Sequence, residues 1–276
     1  MVDNVVVGWK DEASSRSALQ WALADRPDVT VTIVHVVGAG TPVVETFAAD
    51  SRAARARVDL MEVAERVRSE HPSLIVRSEL LSGDPVGVLV DLSGPGSLLV
   101  VGTGRQNARS AHSWSVETRV AAHARGPVAV VPATFSSGHG VVVGVDDPED
   151  DALRFAAEEA RRRGETLHAV RAWQGPPAGL DRGRADPDYQ RSLESMYEDI
   201  LADALESTVD EYPELTIRQS VVEGEPQDVL AESSVGAALL VVGNRGLPRR
   251  PFLGSVSRAV VLGARIPTVV VNARRD

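Results

Sequence analysis

The stretch Ala237 to Ser257, AALLVVGNRGLPRRPFLGSVS, decides how the rest of the chain is read. Its apolar run, Ala238-Leu239-Leu240-Val241-Val242, has the length and unbroken hydrophobicity of a strand buried on both faces. The run ends in Gly243-Asn244-Arg245-Gly246, where a backbone with few Cβ atoms can turn tightly. A helix start follows: Gly254-Ser255 precedes Val256-Ser257-Arg258-Ala259-Val260-Val261-Leu262, so Ser255 is the expected N-cap and the first N–H groups of that helix point back toward the glycine turn. Free N–H groups, small residues and Arg245, Arg249 and Arg250 together make a place for an anion, most simply a phosphate. Taken alone, the stretch is equally well a strand-to-helix loop that merely needs glycine.

Composition narrows the classes. A chain of 276 residues has room for one large domain or two ordinary ones, and 43% hydrophobic with 25% charged residues is a normal globular balance. The net charge of −10 argues against a dedicated nucleic-acid or anionic-membrane binder, while leaving local anion sites open. The absence of cysteine removes disulfides, thiolate nucleophiles and cysteine metal sites. His35, His71, His112, His123, His139 and His168 show no metal-ligand spacing. Only Lys10 among the 29 basic residues is a lysine, and it sits in no phosphate-binding motif, which disfavours Walker-type and protein-kinase folds. The N-terminus enters a strand at once, without a signal-peptide pattern, and no apolar run reaches membrane-span length; the expectation is a cytoplasmic protein.

Read in order, the chain alternates strands and helices, and it does so twice. Val5-Val6-Val7-Gly8 is answered by Val141-Val142-Val143-Gly144, Leu19-Gln20-Trp21-Ala22 by Leu153-Arg154-Phe155-Ala156, and Gly83-Asp84-Pro85 by Gly224-Glu225-Pro226. Leu98 to Gly102 is answered by Leu239 to Gly243, and Pro127 to Val131 by Pro267 to Val271. The offsets run from 134 residues (Leu19 to Leu153) to 141 (Leu98 to Leu239), which is the size of a duplicated domain rather than of a solenoid repeat. The expected domains are residues 1–135 and 139–276, joined near Thr134-Phe135-Ser136-Ser137-Gly138. Within each, the pattern predicts strands near Val29–Val37 and Leu74–Leu81, a long helix over Thr46–Glu70, and in the second copy a helix over Tyr189–Glu211. Such α/β alternation implies a mostly parallel sheet covered on both faces, with ligands expected at the carboxyl ends of the first and fourth strands, where strand order reverses.

With VVVGVD at Val141 to Asp146, G-E-P at Gly224 to Pro226, and Gly243-x-x-Gly246 followed by Gly254-Ser255-Val256-Ser257, the chain resembles the universal stress protein family in a tandem two-domain form. That resemblance implies two Rossmann-like domains of the adenine nucleotide alpha hydrolase-like kind, each a five-stranded parallel sheet with helices on both faces. It implies ATP, ADP or AMP as the ligand, optionally with Mg²⁺, bound by the second copy. Asp146 would meet the adenosine moiety, Gly243, Asn244, Arg245 and Gly246 the ribose and phosphates, and Gly254, Ser255 and Ser257 the terminal phosphates. Val145, Ala172 and Val256 complete the implied binding set. Independently, a strand-end carboxylate can accept hydrogen bonds from ribose hydroxyls or an adenine amine. Asp147-Pro148-Glu149-Asp150 reads as a helix start in which Asp147 is the cap, leaving Asp146 available.

Two departures from the family pattern stand out. The loop Leu247 to Leu253 is shorter than nucleotide-binding members usually carry, and Pro248 and Pro251 remove two backbone donors from it. In the first copy, Lys10 stands where Asp is expected, Arg105 where the second glycine is expected, and Trp114 before Ser115 where a glycine is expected, so this copy reads as a degenerate site. Thr103, Arg105 and Arg109 leave room there for some other anion. Gln174 to Asp188, rich in Gly, Pro and charge, is either a lid over the strand ends or a plain connector.

Three functions follow from these readings. The first is a stress-response regulator that binds adenine nucleotide and changes its contacts with a protein partner, with at most slow, incidental ATPase or autophosphorylation activity. The second is a tandem scaffold for protein–protein interaction without nucleotide. The third, an adenylate-forming enzyme, lacks both an HxGH element and an SGGxDS loop, and no catalytic constellation accompanies the glycine turn. The resemblance also suggests that the short apolar last strands pair antiparallel, within one chain or between two chains as a homodimer.

Overall fold

A computed structural model describes residues 2–26, 29–38, 46–94, 96–104, 115–146, 151–175, 187–244 and 252–272. The chain divides into two compact units, the bulk of one being Met1–Phe135 and of the other Ser136–Arg245 with Gly254–Ala273. The expected N-cap sequence Asp147 to Asp150, the Gln174–Asp188 loop apart from its ends, and Arg105, Arg109, Trp114, Arg245, Gly246, Pro248, Arg249, Arg250 and Pro251 lie outside the described residues.

The first unit runs β1 (Asn4–Gly8), α1 (Ala13–Asp25), β2 (Thr30–Val37), α2 (Thr46–Glu70), β3 (Val76–Ser82), α3 (Pro85–Asp91), β4 (Ser97–Thr103), α4 (Val116–His123) and β5 (Val128–Pro132). The second runs β6 (Val141–Gly144), α5 (Asp151–Arg163), β7 (Leu167–Trp173), α6 (Pro187–Glu211), β8 (Ile217–Glu223), α7 (Pro226–Ser233), β9 (Leu239–Asn244), α8 (Ser255–Leu262) and β10 (Thr268–Asn272). The strands of the first unit lie in the order β3-β2-β1-β4-β5, and those of the second in the matching order β8-β7-β6-β9-β10. Every pairing within each unit is parallel. The order reverses between the first and fourth strands of each unit, which opens a crevice beyond their carboxyl ends.

Central strands explain the unbroken apolar runs. Val5, Val7, Leu98, Leu99, Val100, Val141, Val143, Leu239 and Val241 are all fully buried, because helices cover both faces and no alternation with polar residues is needed. Two glycines mark the two faces. A Cβ on Gly102 would fall 2.2 Å from the Ser14 carbonyl oxygen in α1, whereas one on Gly8 would touch Val101 and Leu89 of α3. Gly102 and Val101 are neighbours in β4 and point to opposite sides, so α1 and α3 lie on opposite faces of the sheet. The second unit repeats the α3 side of this arrangement, with a Cβ on Gly144 meeting Leu230 of α7.

The G-D-P and G-E-P turns behave differently in one detail. Gly83 and Gly224 both take positive φ, 148° and 156°, and each is followed by a helix with Pro in its first turn. Asp84 caps α3 by accepting the Gly87 N–H at 3.0 Å. Glu225, one methylene longer, occupies the cap position of α7 without bonding through its side chain. The third strand begins two residues later than its apolar residues suggest, since Leu74 N–H turns back to the His71 carbonyl at 3.0 Å and Ile75 is left exposed.

Candidate functional site

Three segments of the second unit meet at the carboxyl ends of β6 and β9. The register Val141↔Leu239, Val142↔Leu240 and Val143↔Val241 sets these strands side by side, bringing the residues after β6 next to those at the end of β9. Val145 is buried and continues the ladder through its N–H to the Val170 carbonyl at 2.9 Å. Asp146 follows it into solvent, and its carbonyl accepts a hydrogen bond from Arg171 Nη1 at 2.9 Å. Ala172 sits on the neighbouring strand β7, half-exposed beside this corner.

Arg171 was not among the residues singled out from sequence. Its guanidinium lies 5.5 Å from the Tyr197 ring centroid, and Tyr197 in turn stacks on Trp173 at 5.5 Å. This aromatic support from α6 steers the guanidinium toward the Asp146 backbone. The alternation of Arg171, Ala172 and Trp173 at a strand end was the only sequence signal, and it carries no information about α6.

On the other side of the crevice, Asn244 is the last residue of β9 and is 4% exposed. Its Nδ2 donates to Asn272 Oδ1 at 2.7 Å, and its Oδ1 accepts the Gly254 N–H at 3.3 Å. The side chain thus ties the ends of β9 and β10 to the residue preceding α8, and it turns inward instead of toward the crevice. Ser257 does likewise, its Oγ donating to the Gly243 carbonyl at 2.7 Å. The Asn244–Gly254 and Ser257–Gly243 bonds hold the end of β9 and the helix start in fixed relation.

The start of α8 differs from the sequence expectation. Gly254, with φ −54° and ψ 156°, is the N-cap, and its carbonyl accepts the Arg258 N–H at 2.8 Å. Ser255 is therefore the first helical residue and is exposed. Glycine leaves α8 without a side-chain cap, so the N–H groups of Ser255, Val256 and Ser257 have no intrahelical acceptor and carry the positive end of the helix dipole. Among the described residues, the nearest atom to a notional Cβ on Gly254 is Ser257 Oγ at 4.0 Å. Of the expected binding set, Val145 and Asp146 follow β6, Ala172 lies on β7, Gly243 and Asn244 end β9, and Gly254, Ser255, Val256 and Ser257 open α8; Arg245 and Gly246 are outside the described residues.

The equivalent corner of the first unit carries different groups. Trp9 N–H reaches the Val34 carbonyl at 2.7 Å, as Val145 does that of Val170, and this places Lys10 where the second unit has Asp146. Lys10 Nζ pairs with Glu12, and Thr103 Oγ1 donates to Glu117 at 2.9 Å. Among the described residues no group of three or more His, Cys, Asp or Glu side chains is placed to hold a metal ion, and no helix is long and apolar enough to cross a membrane.

Comparison with known proteins agrees with the duplicated architecture. The universal stress protein family model matches residues 1–132 and again residues 139–272. A universal stress protein of Mycobacterium tuberculosis is 32% identical over 303 residues, spanning 99% of this chain and 96% of the relative. One from Mycolicibacterium smegmatis is 29% identical over 298 residues, spanning 98% and 97%. Among solved structures, a universal stress protein from Archaeoglobus fulgidus superposes with a TM-score of 0.70 over 98% of both chains at 19% identity, a likeness of fold. With two full family matches and curated relatives aligned from end to end, the chain belongs to the universal stress protein family, as a tandem of two such domains.

Proposed function

We propose that the second domain binds an adenine nucleotide, ATP or its products ADP and AMP, and that occupancy alters a surface read by a partner protein in a cytoplasmic stress response. The observation that carries this reading is the start of α8 without a side-chain cap, tied by Asn244 and Ser257 to the end of β9, the strand beside β6, which leads into Asp146. Phosphates suit free helix N–H groups and the positive end of the helix, and among the described residues none comes closer than 4.0 Å to a notional Cβ on Gly254. Asp146, anchored through its carbonyl by Arg171, offers acceptor oxygens to ribose hydroxyls or the adenine amine. Mg²⁺ would be held by the nucleotide's own phosphates, because the described residues provide no cation cage. Switching follows if nucleotide favours one arrangement of the crevice over another, since a ligand shifts an equilibrium only by its differential affinity.

Isothermal titration of the full chain with ATP, ADP and AMP tests the proposal. Binding is expected, and Asp146→Ala is expected to weaken it about tenfold or more, the loss typical of a charged hydrogen-bond acceptor. Failure of all three nucleotides to bind at millimolar concentration would leave the tandem-scaffold reading in its place.

A further inference from the structure

The outer strand of the first domain matches itself. β3 is the terminal strand of its unit; it pairs with β2 on one side, and among the described residues no strand pairs with it on the other. The hydrogen bonds at its two ends fix which way its backbone points. Val31 N–H bonds to the Ile75 carbonyl at 2.9 Å, and Gly83 N–H to the Val37 carbonyl at 3.0 Å. Odd-numbered residues therefore turn their N–H and C=O groups toward β2, while Val76, Ser78, Leu80 and Ser82 turn theirs outward, as an open edge that another strand can join. Arg68 of α2 occupies one of these groups, donating through Nε and Nη2 to the Val76 carbonyl at 3.3 and 3.0 Å. That oxygen keeps a second lone pair. Beside the edge, a groove of about 710 Å³ runs between β3 and α2, lined by Leu60, Met61, Glu65, Arg68, Ser78 and Leu80 among others. Met61 in this lining is 61% exposed, and Ile75, just before the strand, is 60% exposed.

The residues along the edge decide what fits it. When two copies of β3 run antiparallel about a twofold axis at Ser78, Ser78 meets Ser78, Arg77 meets Glu79, Val76 meets Leu80 and Ile75 meets Leu81. Arg77 and Glu79 are both exposed, and they fall at the positions without inter-strand hydrogen bonds, where facing side chains lie closest. Symmetry forms the ion pair twice. Moving the axis by one residue sets Glu79 against Glu79 or Arg77 against Arg77, and puts apolar residues opposite polar ones; like charges directly opposite each other are unfavourable. No other axis within β3 joins opposite charges. The corresponding strand of the second unit, β8, lacks this property: Arg218 turns its backbone toward β7 and Glu223 turns outward, so the two cannot oppose each other.

We propose that the β3 edge is an interface for a second copy of this chain, paired antiparallel about Ser78, with α2 of each copy lying over the joined strands so that Met61 and the groove are covered. A strand pair alone falls short of the roughly 800 Å² per partner of a stable interface, so the association is a weak, concentration-dependent dimer to which the groove contributes. β3 and β5 are at opposite ends of the strand order, which separates this interface from any pairing of the last strands. It is also independent of nucleotide binding by the second domain.

Sedimentation velocity of the full chain over a concentration series reaching high micromolar tests the proposal. A monomer–dimer equilibrium is expected. Arg77→Glu, an exposed change, sets like charges against each other twice and is expected to weaken the dimer about tenfold or more. Arg77→Glu combined with Glu79→Arg exchanges the two charges and is expected to restore it, which no effect on the monomer alone would do. Ser78→Pro removes an outward N–H that β2 does not use, so dimerisation is expected to be lost with the circular dichroism spectrum retained. In amide exchange followed by NMR, Ser78 and Leu80 are expected to slow as concentration rises, while Arg77 and Glu79, already bonded to β2, stay as they were. A monomer at every concentration overturns the proposal. So do association that Arg77→Glu leaves unchanged, failure of the charge exchange to restore the dimer, and growth into an open series beyond the dimer.

Discussion

Replacing Asn244 by alanine tests how the second crevice is held together. The Asn244 amide makes a short buried bond to Asn272 Oδ1, 2.7 Å, and a longer one from Gly254 N–H, 3.3 Å. A buried hydrogen bond contributes roughly 0.5–1.5 kcal/mol net, and loss of the acceptor for Gly254 N–H adds a desolvation cost of about 1 kcal/mol. Together with the small void left at a nearly inaccessible position, the expected loss is about 2–3 kcal/mol of local stability. Asn272→Ala removes the same 2.7 Å bond from the other side, so the double variant is expected to lose about 1 kcal/mol less than the sum of the singles. Two units need not unfold together, and hydrogen exchange read peptide by peptide is therefore the suitable assay. Faster exchange is expected in β9, β10 and the first turn of α8, with peptides of β1 to β4 unchanged. Strict additivity of the two substitutions, or unaltered exchange at the start of α8, would refute the view that Asn244 couples the strand ends to that helix.

Other consequences follow from single contacts. Gly102→Ala forces a methyl group to within 2.2 Å of the Ser14 carbonyl in α1; because the obstacle is backbone, a loss of about 2–3 kcal/mol or more is expected, measurable by urea unfolding. Arg171→Met keeps most of the stem but removes the bond to the Asp146 carbonyl, so ATP affinity is expected to fall several-fold while the melting temperature changes little, as calorimetry would establish. His168, whose Nε2 lies 2.9 Å from Ser220 Oγ, has its pKa lowered from 6.5, first by burial and then by Arg218. The unfolded chain thus takes up this proton first as pH falls, so the folded state loses stability from about pH 6.5 down through the lowered value and gains nothing above it. His168→Gln is expected to flatten that part of the stability–pH profile; an unchanged slope would show that other groups carry it.

Much of the architecture was legible because the signals are local. Unbroken valine and leucine runs report strands covered on both sides, Gly-Asp-Pro reports a turn feeding a helix, and the recurrence of both in the same order at offsets of 136 to 141 residues reports duplication. The helix over Thr46–Glu70 matches its pattern end to end. A serine before an apolar run is usually the cap, but Gly254 rather than Ser255 caps α8, its N–H bonded to the Asn244 side chain, so the helix begins at Ser255 itself.

The amino-acid sequence by itself determined the alternating elements, their duplication and the places where glycine and small residues permit a close approach, since these depend on neighbours a few residues apart. Only the tertiary structure decided what the side chains at those places do. Asn244 and Ser257 face inward because acceptors and a donor 10 to 28 residues away complete their hydrogen bonds. Arg171 reaches Asp146 because Tyr197, from a helix beyond the next loop, supports it. Orientation of a polar group is settled by the partners that folding brings within hydrogen-bond distance, and those partners are invisible to any window of sequence.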